Sequence, residues 1–488
     1  MAVARMSQKI AVATVFVSAM FMNIMDITIV NVALPTIGRD FHIPPTAVDG
    51  VVIAYLVSLA VFIPASGWMG DHFGGKQVLL TAIGVFTIGS ALCGLAQNET
   101  QLVVFRVLQG AGGGMMAPVG MAMLYRVFPP AERVRAASVI TVPTTMAPAI
   151  GPVLGGFLVT AISWRWVFFV NLPIGIAAVV FGALFLERSE THDAGRLDVR
   201  GFVLGGAGLG LFMYGVSEGP LQSWSSPEVV STCLGGAVLL AAFVLAELRT
   251  ERPMVDLHLL RGHLFRTTNV VLFLSMAAFL GMLFLIPLYF QDARGLSALQ
   301  SGLSTFPEAF GVMVGAQFAS RLIYPATGPR RHISAGLLGV ALCLLALTQV
   351  TVTTNLWLLR GLMFLVGLMM AQVMVPTQAA AFAMITPASM GRASTLFNTM
   401  RQVGSATGVA VLSTVLIGVG TATGTGGSSL VPDITAYHVA FLVAALFALV
   451  AIPFSLRIQD RDAAATIVPR VSRRAARSGS PVPEGSTA

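Results

Sequence analysis

The sequence predicts an all-α polytopic membrane protein of fourteen transmembrane helices, built as two six-helix halves with a two-helix insertion between them. Three observations carry this. Charged side chains are 10% of the 488 residues and apolar ones 56%, against roughly 25% charged in a soluble domain, so a water-facing surface could not be clothed. The apolar residues gather into runs of the roughly 20 that a helix needs to cross a bilayer. The basic residues fall almost entirely in the gaps between runs, as membrane topology demands. A mean hydropathy of +0.83 excludes a disordered chain as well as a soluble multidomain enzyme. The net charge of +8 does not indicate nucleic acid, because no basic helix or aromatic-basic platform lies outside the apolar runs.

The runs are 10–32, 47–69, 77–97, 101–124, 137–160, 166–186, 201–217, 229–248, 268–290, 298–320, 332–350, 356–378, 395–418 and 437–456. Arg5 and Lys9 precede the first as in a signal peptide, but it contains Asp26 and lacks a small-residue cleavage site, so it reads as a retained helix. The third to sixth lie so close together that neighbours must form antiparallel hairpins. The seventh and eighth hold no strong central polar residue and read as peripheral packing. The tenth carries Pro307-Glu308 near its midpoint. With the N-terminus inside, 23 basic residues fall on the cytoplasmic side and 3 (Arg39, Arg165, Arg294) outside, leaving Arg106, Arg360 and Arg401 within or at the edge of helices. Both termini are therefore expected in the cytoplasm. The divisions are 1–190 for the first half, 191–262 for the insertion, 263–458 for the second half and 459–488 for a disordered tail. Heavy use of Ala, Gly and Arg over Lys suggests a GC-rich bacterial genome, hence a bacterial cytoplasmic membrane.

The halves echo each other at the gap before their third span. Gly67 to Lys76 places Asp71, Gly74 and Lys76 there, and Ser320 to Arg331 places Gly328, Arg330 and Arg331. Paired six-helix halves are a transporter plan, with the site between them near the midplane.

Five motifs in order carry a resemblance. They are Asp26 to Pro35 on the first span with Asn31 inside it, Gly67 to Lys76, and Arg106 to Gly110 on the fourth. Ala147 to Gly156 on the fifth and Trp164 to Pro173 at the sixth complete the set. Together they resemble the fourteen-span drug:proton antiporter family of the major facilitator superfamily. His72, Gly75 and Ala147 depart from its usual pattern. The resemblance implies a proton-coupled exporter of amphipathic, cationic drugs working by alternating access, with protons and a small molecule as partners. It places Arg106 in the proton-coupling apparatus, makes the Asp71 turn a latch on the inner gate, and associates the fifth-span motif with antiport. An exporter of one endogenous metabolite, antibiotic or lipid shares the same plan. A non-transporting sensor would need an added soluble domain.

Read from the residues themselves, Asp26 is a mid-membrane acid on one face with Asn23. It either pairs with Arg106 or cycles a proton, and the two are compatible. Arg106 has Gln109 three residues on, and its alternative is snorkelling to the outer interface. Glu308 is either a cavity-facing acid that binds a proton or cation, or a protonated glutamate packed in the bundle, and Arg401 is the cation on a nearby span. Tyr55, Phe279, Tyr289 and Gln291 are candidate cavity residues. Ala147, Gly151 and Gly155, with Pro148, Pro152 and Gly156 one residue later, recur every four residues and read as a packing stripe and hinge. Gly110 with Gly114, and Gly404 with Gly408, suggest similar packing. Asp71, Gly74 and Lys76 form either that latch or a plain polar loop. No phosphate-binding loop appears and the histidines lack a second ligand at helical spacing, so neither enzyme, cofactor nor structural metal is expected.

Overall fold

The computed structural model describes residues 7–42, 50–188, 197–250, 253, 255–420 and 434–467. Among them the chain forms helices and no strands. The long helices are α1 (Gln8–Phe41), α2 (Gly50–Phe73), α3 (Gly75–Leu95), α4 (Glu99–Val127), α5 (Arg133–Ala161), α6 (Asn171–Phe185), α7 (Val199–Gln222), α8 (Pro227–Glu247), α9 (His263–Leu288), α10 (Ala298–Phe318), α11 (Tyr324–Leu347), α12 (Leu356–Ala381), α13 (Met390–Gly420) and α14 (Ile434–Ser455). Twelve stretches of described residues are long and apolar enough to cross a membrane, or up to 13 if a bent pair within α5 counts as one. One of the twelve, Gln300–Leu347, is 48 residues long. It contains both α10 and α11, joined by a π-helical turn at Ala319–Ile323.

The helices run past the apolar runs where their ends find partners. α1 continues to Phe41, whose ring meets Trp164 edge-on at 5.4 Å. Beyond the apolar stretch Asp40 accepts from the Trp164 indole at 2.9 Å and from Arg165 at 3.2 Å. The Trp164 hydrogen bond first, then Arg165, hold the Asp40 carboxyl below its usual range against the opposing effect of burial.

The two expected glycine turns are real backbone breaks. Gly74 sits at φ 87 before α3 and Gly328 at φ 71 inside α11, a conformation that side chains with a Cβ rarely adopt. Unlike the first, the second break lies inside a run of helix, because Tyr324–Thr327 is already helical when Gly328 kinks it.

The halves meet at the end of the bundle that carries the basic loops. There Val134 and Ala137 of α5 pack with Val312 and Ala316 of α10 and with Ala371 and Val375 of α12. Ser66 and Gly67 of α2 lie against Gly391 and Thr395 of α13. Helix α7 lies across both halves, with Leu209 and Met213 against Ala60 of α2 and Val403 and Ala406 of α13. The insertion thus ties the halves together, which is more than the peripheral packing expected of it.

The first part of the expected disordered tail is ordered. Asp460–Thr466 is a 3-10 helix. Asp460 Oδ1 accepts from the Arg330 amide at 2.9 Å, just past the Gly328 kink, and Thr466 shares a 2.6 Å hydrogen bond with Tyr324. An acid at a helix start satisfies orphan amides, which gives this segment a reason to order. Residues 468–488 lie outside the described residues.

Candidate functional site

Polar groups inside the first half converge on Asp26. Its Oδ2 accepts from Arg106 Nη1 at 2.5 Å, and both side chains are fully buried. Its Oδ1 accepts from Gln109 Nε2 at 2.8 Å and from Asn171 Nδ2 at 3.0 Å. Arg106 also donates to Gln109 Oε1 at 2.8 Å and to the Val51 carbonyl at 3.2 Å. Its guanidinium lies 4.1 Å from the Tyr55 ring centroid. Four helices build this cluster, and close approach is what allows it. At Gly110 and Gly114 α4 lies directly on the α2 backbone, and Gly113 leaves room for Asn23 and the Tyr55 hydroxyl. The snorkelling alternative for Arg106 is excluded by this geometry. Neither the Asn23 amide nor the Tyr55 hydroxyl has a hydrogen-bond partner, and both face that glycine.

Among the described residues of the second half no buried ion pair occurs, and buried polar contacts there join His332 to Gln372 at 2.8 Å and Gln372 to the Gly315 carbonyl at 3.0 Å. Glu308 is 4% exposed, and its Oε1 is buried without a partner. On the helical wheel it lies between the α10 residues that meet α12 (Gly311, Gly315) and those that meet α5 (Val312, Ala316). Gly367 of α12 lies against its backbone carbonyl, so Glu308 sits on the side of α10 that packs among α12 and α5. Arg401 forms no ion pair with Glu308. Its one hydrogen bond goes from Nη2 to Asn398 Oδ1 at 3.1 Å, while Nε is buried and unpartnered. Asn398 in turn reaches Met121 of α4 across the seam, at 3.7 Å.

The basic end is closed by a second set of contacts. Arg126 Nη2 donates to Asp71 Oδ1 at 2.6 Å, and Arg126 Nε donates to the Pro387 carbonyl at 3.2 Å. Asp71 also abuts Gly391, at the start of α13, where a carboxylate is favoured by the helix dipole. Arg133 donates to the Phe382 carbonyl, and the Tyr125 and Phe382 rings stack at 4.7 Å. Lys76 reaches a different helix end. It donates to the Ala183 carbonyl at 3.0 Å and to the Leu186 carbonyl, at the C-terminus of α6, the place where a cation suits free carbonyls.

Other candidates separate from these clusters. Tyr289 is buried but donates to the Thr351 carbonyl at 2.9 Å and packs on Tyr437, so it belongs to the core of the second half. Phe279 is likewise buried. Gln291 lies in a π-helical turn, exposed and bonded to the Pro287 carbonyl. Asn31 is exposed and stands apart from the Asp26 cluster. On α5, Gly151 and Gly155 press against Thr28 and Ile29 of α1, as expected of their row, whereas Gly156 of the second row faces open space. The helix bends by 40° between Pro148 and Val153, and the side chain of Pro152 lies outside the described residues. Gly404 and Gly408 of α13 press on Phe273 and Ala277 of α9. The sequence reading missed Asn171, Arg126, Arg133 and Asn398. Asn171 had a signal, since it is a polar residue held inside an apolar run.

Residues 16–409 match the model of the Major Facilitator Superfamily. The chain is 33% identical over 408 residues to the Multidrug resistance protein B homolog of Mycobacterium tuberculosis, covering 83% of this chain and 75% of that protein. It is 30% identical over 393 residues to the Tetracenomycin C resistance and export protein of Streptomyces glaucescens, covering 80% and 73%. The crystal structure of the human organic anion transporter MFSD10 (TETRAN) superimposes with a TM-score of 0.65 at 16% identity, over 92% of this chain and 99% of that one, a likeness of fold alone. Two helical halves meeting at one end around buried charge, together with these matches, make this chain a member of the Major Facilitator Superfamily.

Proposed function

We propose that the chain is a proton-coupled secondary exporter of amphipathic, cationic drugs in a bacterial cytoplasmic membrane. It crosses the bilayer fourteen times with both termini inside. Fourteen crossings follow if Gln300–Leu347 counts twice and α5 once: 48 residues rise about 72 Å as helix, more than twice the roughly 30 Å hydrocarbon core. With the basic end in the cytoplasm, the contacts around Asp71, Arg126, Arg133 and Phe382 form a closed inner gate, which leaves a substrate chamber between the halves to open on the outer side.

The observation that carries the reading is the Glu308 carboxyl, buried at membrane depth with its Oε1 unpartnered among the described residues. An acid there holds either a proton or a cationic substrate. Opening inward presents it to the drug; opening outward lets a proton displace the drug. Exchange of one proton for one monovalent cation moves no net charge, so the pH gradient drives it: each pH unit supplies about 1.4 kcal/mol, enough to sustain about a tenfold drug gradient. Asp26 and Arg106 form the accompanying pair in the first half, a two-position element that parts and rejoins as access alternates. An apolar groove of about 420 Å³ beside α9, α13 and α14, lined by Val270, Phe273, Met400 and Phe454, suits entry from the inner leaflet. The relatives named for multidrug resistance support drugs as cargo. The relative named for tetracenomycin C export favours a second reading, a dedicated exporter of one compound.

Purified protein in liposomes with a luminal pH dye and an inward proton gradient tests this. Ethidium should trigger proton movement that vanishes in Glu308→Gln. Silence with cations, and a response to one neutral compound, would establish the dedicated exporter and return Glu308 to a packing role.

A further inference from the structure

Arg401 is the charged group that the proposed cycle does not use. It follows Met390, the first residue of α13, by eleven positions, a rise of about 16 Å from the basic end. Glu308 follows Ala298 of α10 by ten positions from the opposite end, about 15 Å. In a core about 30 Å thick, both therefore lie near the midplane.

The direction of the arginine follows from its neighbours on the helix. Gly404 and Gly408 face α9, and Asn398 faces Met121 of α4. At about 100° per residue Arg401 falls between these two directions. Helices α4 and α9 have no packed interface of their own, so the guanidinium points into the seam where the halves part. It is only partly covered there, and its single partner is the neutral amide oxygen of Asn398, itself 1% exposed. No carboxylate among the described residues pairs with it. Helices α10 and α13 share no packed interface either, so Glu308 stands apart from Arg401 on a helix that is not its packed neighbour.

An arginine stays charged at any physiological pH and offers five donors in a planar fork. At mid-membrane it is costly to keep without a counter-charge. We propose that Arg401, steadied by Asn398, receives a carboxylate or phenolate oxygen of the exported molecule, so that the chamber takes amphipathic acids and zwitterions as well as cations. This rests on the transporter reading above and extends its substrate class. With Glu308 also near the midplane, a zwitterion would satisfy both groups at once, whereas a simple cation leaves the arginine unpaired.

Three probes that share one apolar body test it: pyrenebutyrate, pyrenebutanol and pyrenebutylammonium, titrated into the full chain in nanodiscs with empty nanodiscs as the blank. The wild type should bind the acid at least tenfold more tightly than the alcohol. Arg401→Gln should erase that difference and leave alcohol and ammonium binding within twofold, which also reports correct folding. Arg401→Lys, which keeps the charge but loses the fork, should fall between. Equal binding of acid and alcohol by the wild type, or a loss common to all three probes in Arg401→Gln, would overturn the proposal. Intact, arginine-dependent binding without proton movement in liposomes would instead refute proton coupling and leave this site standing.

Discussion

Inside the first half, Asp26 accepts from Arg106, Gln109 and Asn171, and Arg106 is covered by the Tyr55 ring. Inside the second, Glu308 and Arg401 stand on separate helices, the acid with its Oε1 unpartnered among the described residues and the cation with one hydrogen bond. Both halves carry an acid and a base at membrane depth, yet only one half neutralises them internally. A closed pair is a two-position element, stable together and costly apart. Open groups are available to ligands. The difference suggests a division of labour between a switch in the first half and exchange of cargo and proton in the second.

The most severe way to break that contrast is to orphan the acid in the first half. Arg106→Met should cost about 3–5 kcal/mol of stability, because a buried carboxylate loses its counter-charge; thermal unfolding in detergent reads this. Adding Asp26→Leu should recover most of the stability, as apolar replacement of a whole buried pair often does, without recovering transport. A double variant as unstable as the single one would show that the remaining network, not the pair, holds the cluster.

In the second half Glu308→Gln should behave oppositely. No partner is lost, so stability should move by less than about 1 kcal/mol, while proton-driven ethidium efflux falls at least tenfold. A large drop in melting temperature would mean that Glu308 is structural.

Between the halves, Arg126→Ala removes the Asp71 ion pair and the bond to the Pro387 carbonyl together. Charge-assisted bonds contribute about 1.5–3 kcal/mol, so the population open at the basic end should rise roughly tenfold or more. Cross-linking of cysteines placed at Ser66 and Thr395, whose hydroxyls lie 3.5 Å apart across the same seam, should weaken accordingly. Unchanged cross-linking would assign the closure to Arg133 and the Tyr125–Phe382 stack.

The smallest effect belongs to the edge of the first half. Asp40 titrates below its unfolded value, so its contribution is present above about pH 3.9 and is lost as pH falls through the lower folded value. Asp40→Asn should slightly reduce stability at neutral pH, and the gap to wild type should close in acid. A gap that persists at low pH would point to loss of the Trp164 contact by shape and not by charge.

Much of this plan was legible in the sequence, for physical reasons. Hydrocarbon leaves the backbone few options, so apolar runs become helices and basic gaps mark one end. Asp26 and Arg106 were legible because charge in such runs is rare. Their being joined by Gln109 and Asn171 was only half legible: Gln109 shares a face with Arg106, but Asn171 arrives from another helix. The direction of Lys76 was misleading, since proximity along the chain to Asp71 says nothing about the α6 carbonyls that it meets in space. The same limit hid Arg126 and Arg133, which read as ordinary loop cations until the second half is brought beside them. The ordered segment at Asp460 looked disordered because its composition is polar, whereas its partner is a helix start 130 residues away.

The central claim is that Glu308 exchanges a proton for a cationic substrate. Calorimetric titration of ethidium into the purified protein near neutral pH, in two buffers of different ionisation enthalpy, measures proton release directly. The account predicts release of up to about one proton per ethidium in the wild type, and none in Glu308→Gln. Equal release by both proteins would contradict it and move the exchange to another group.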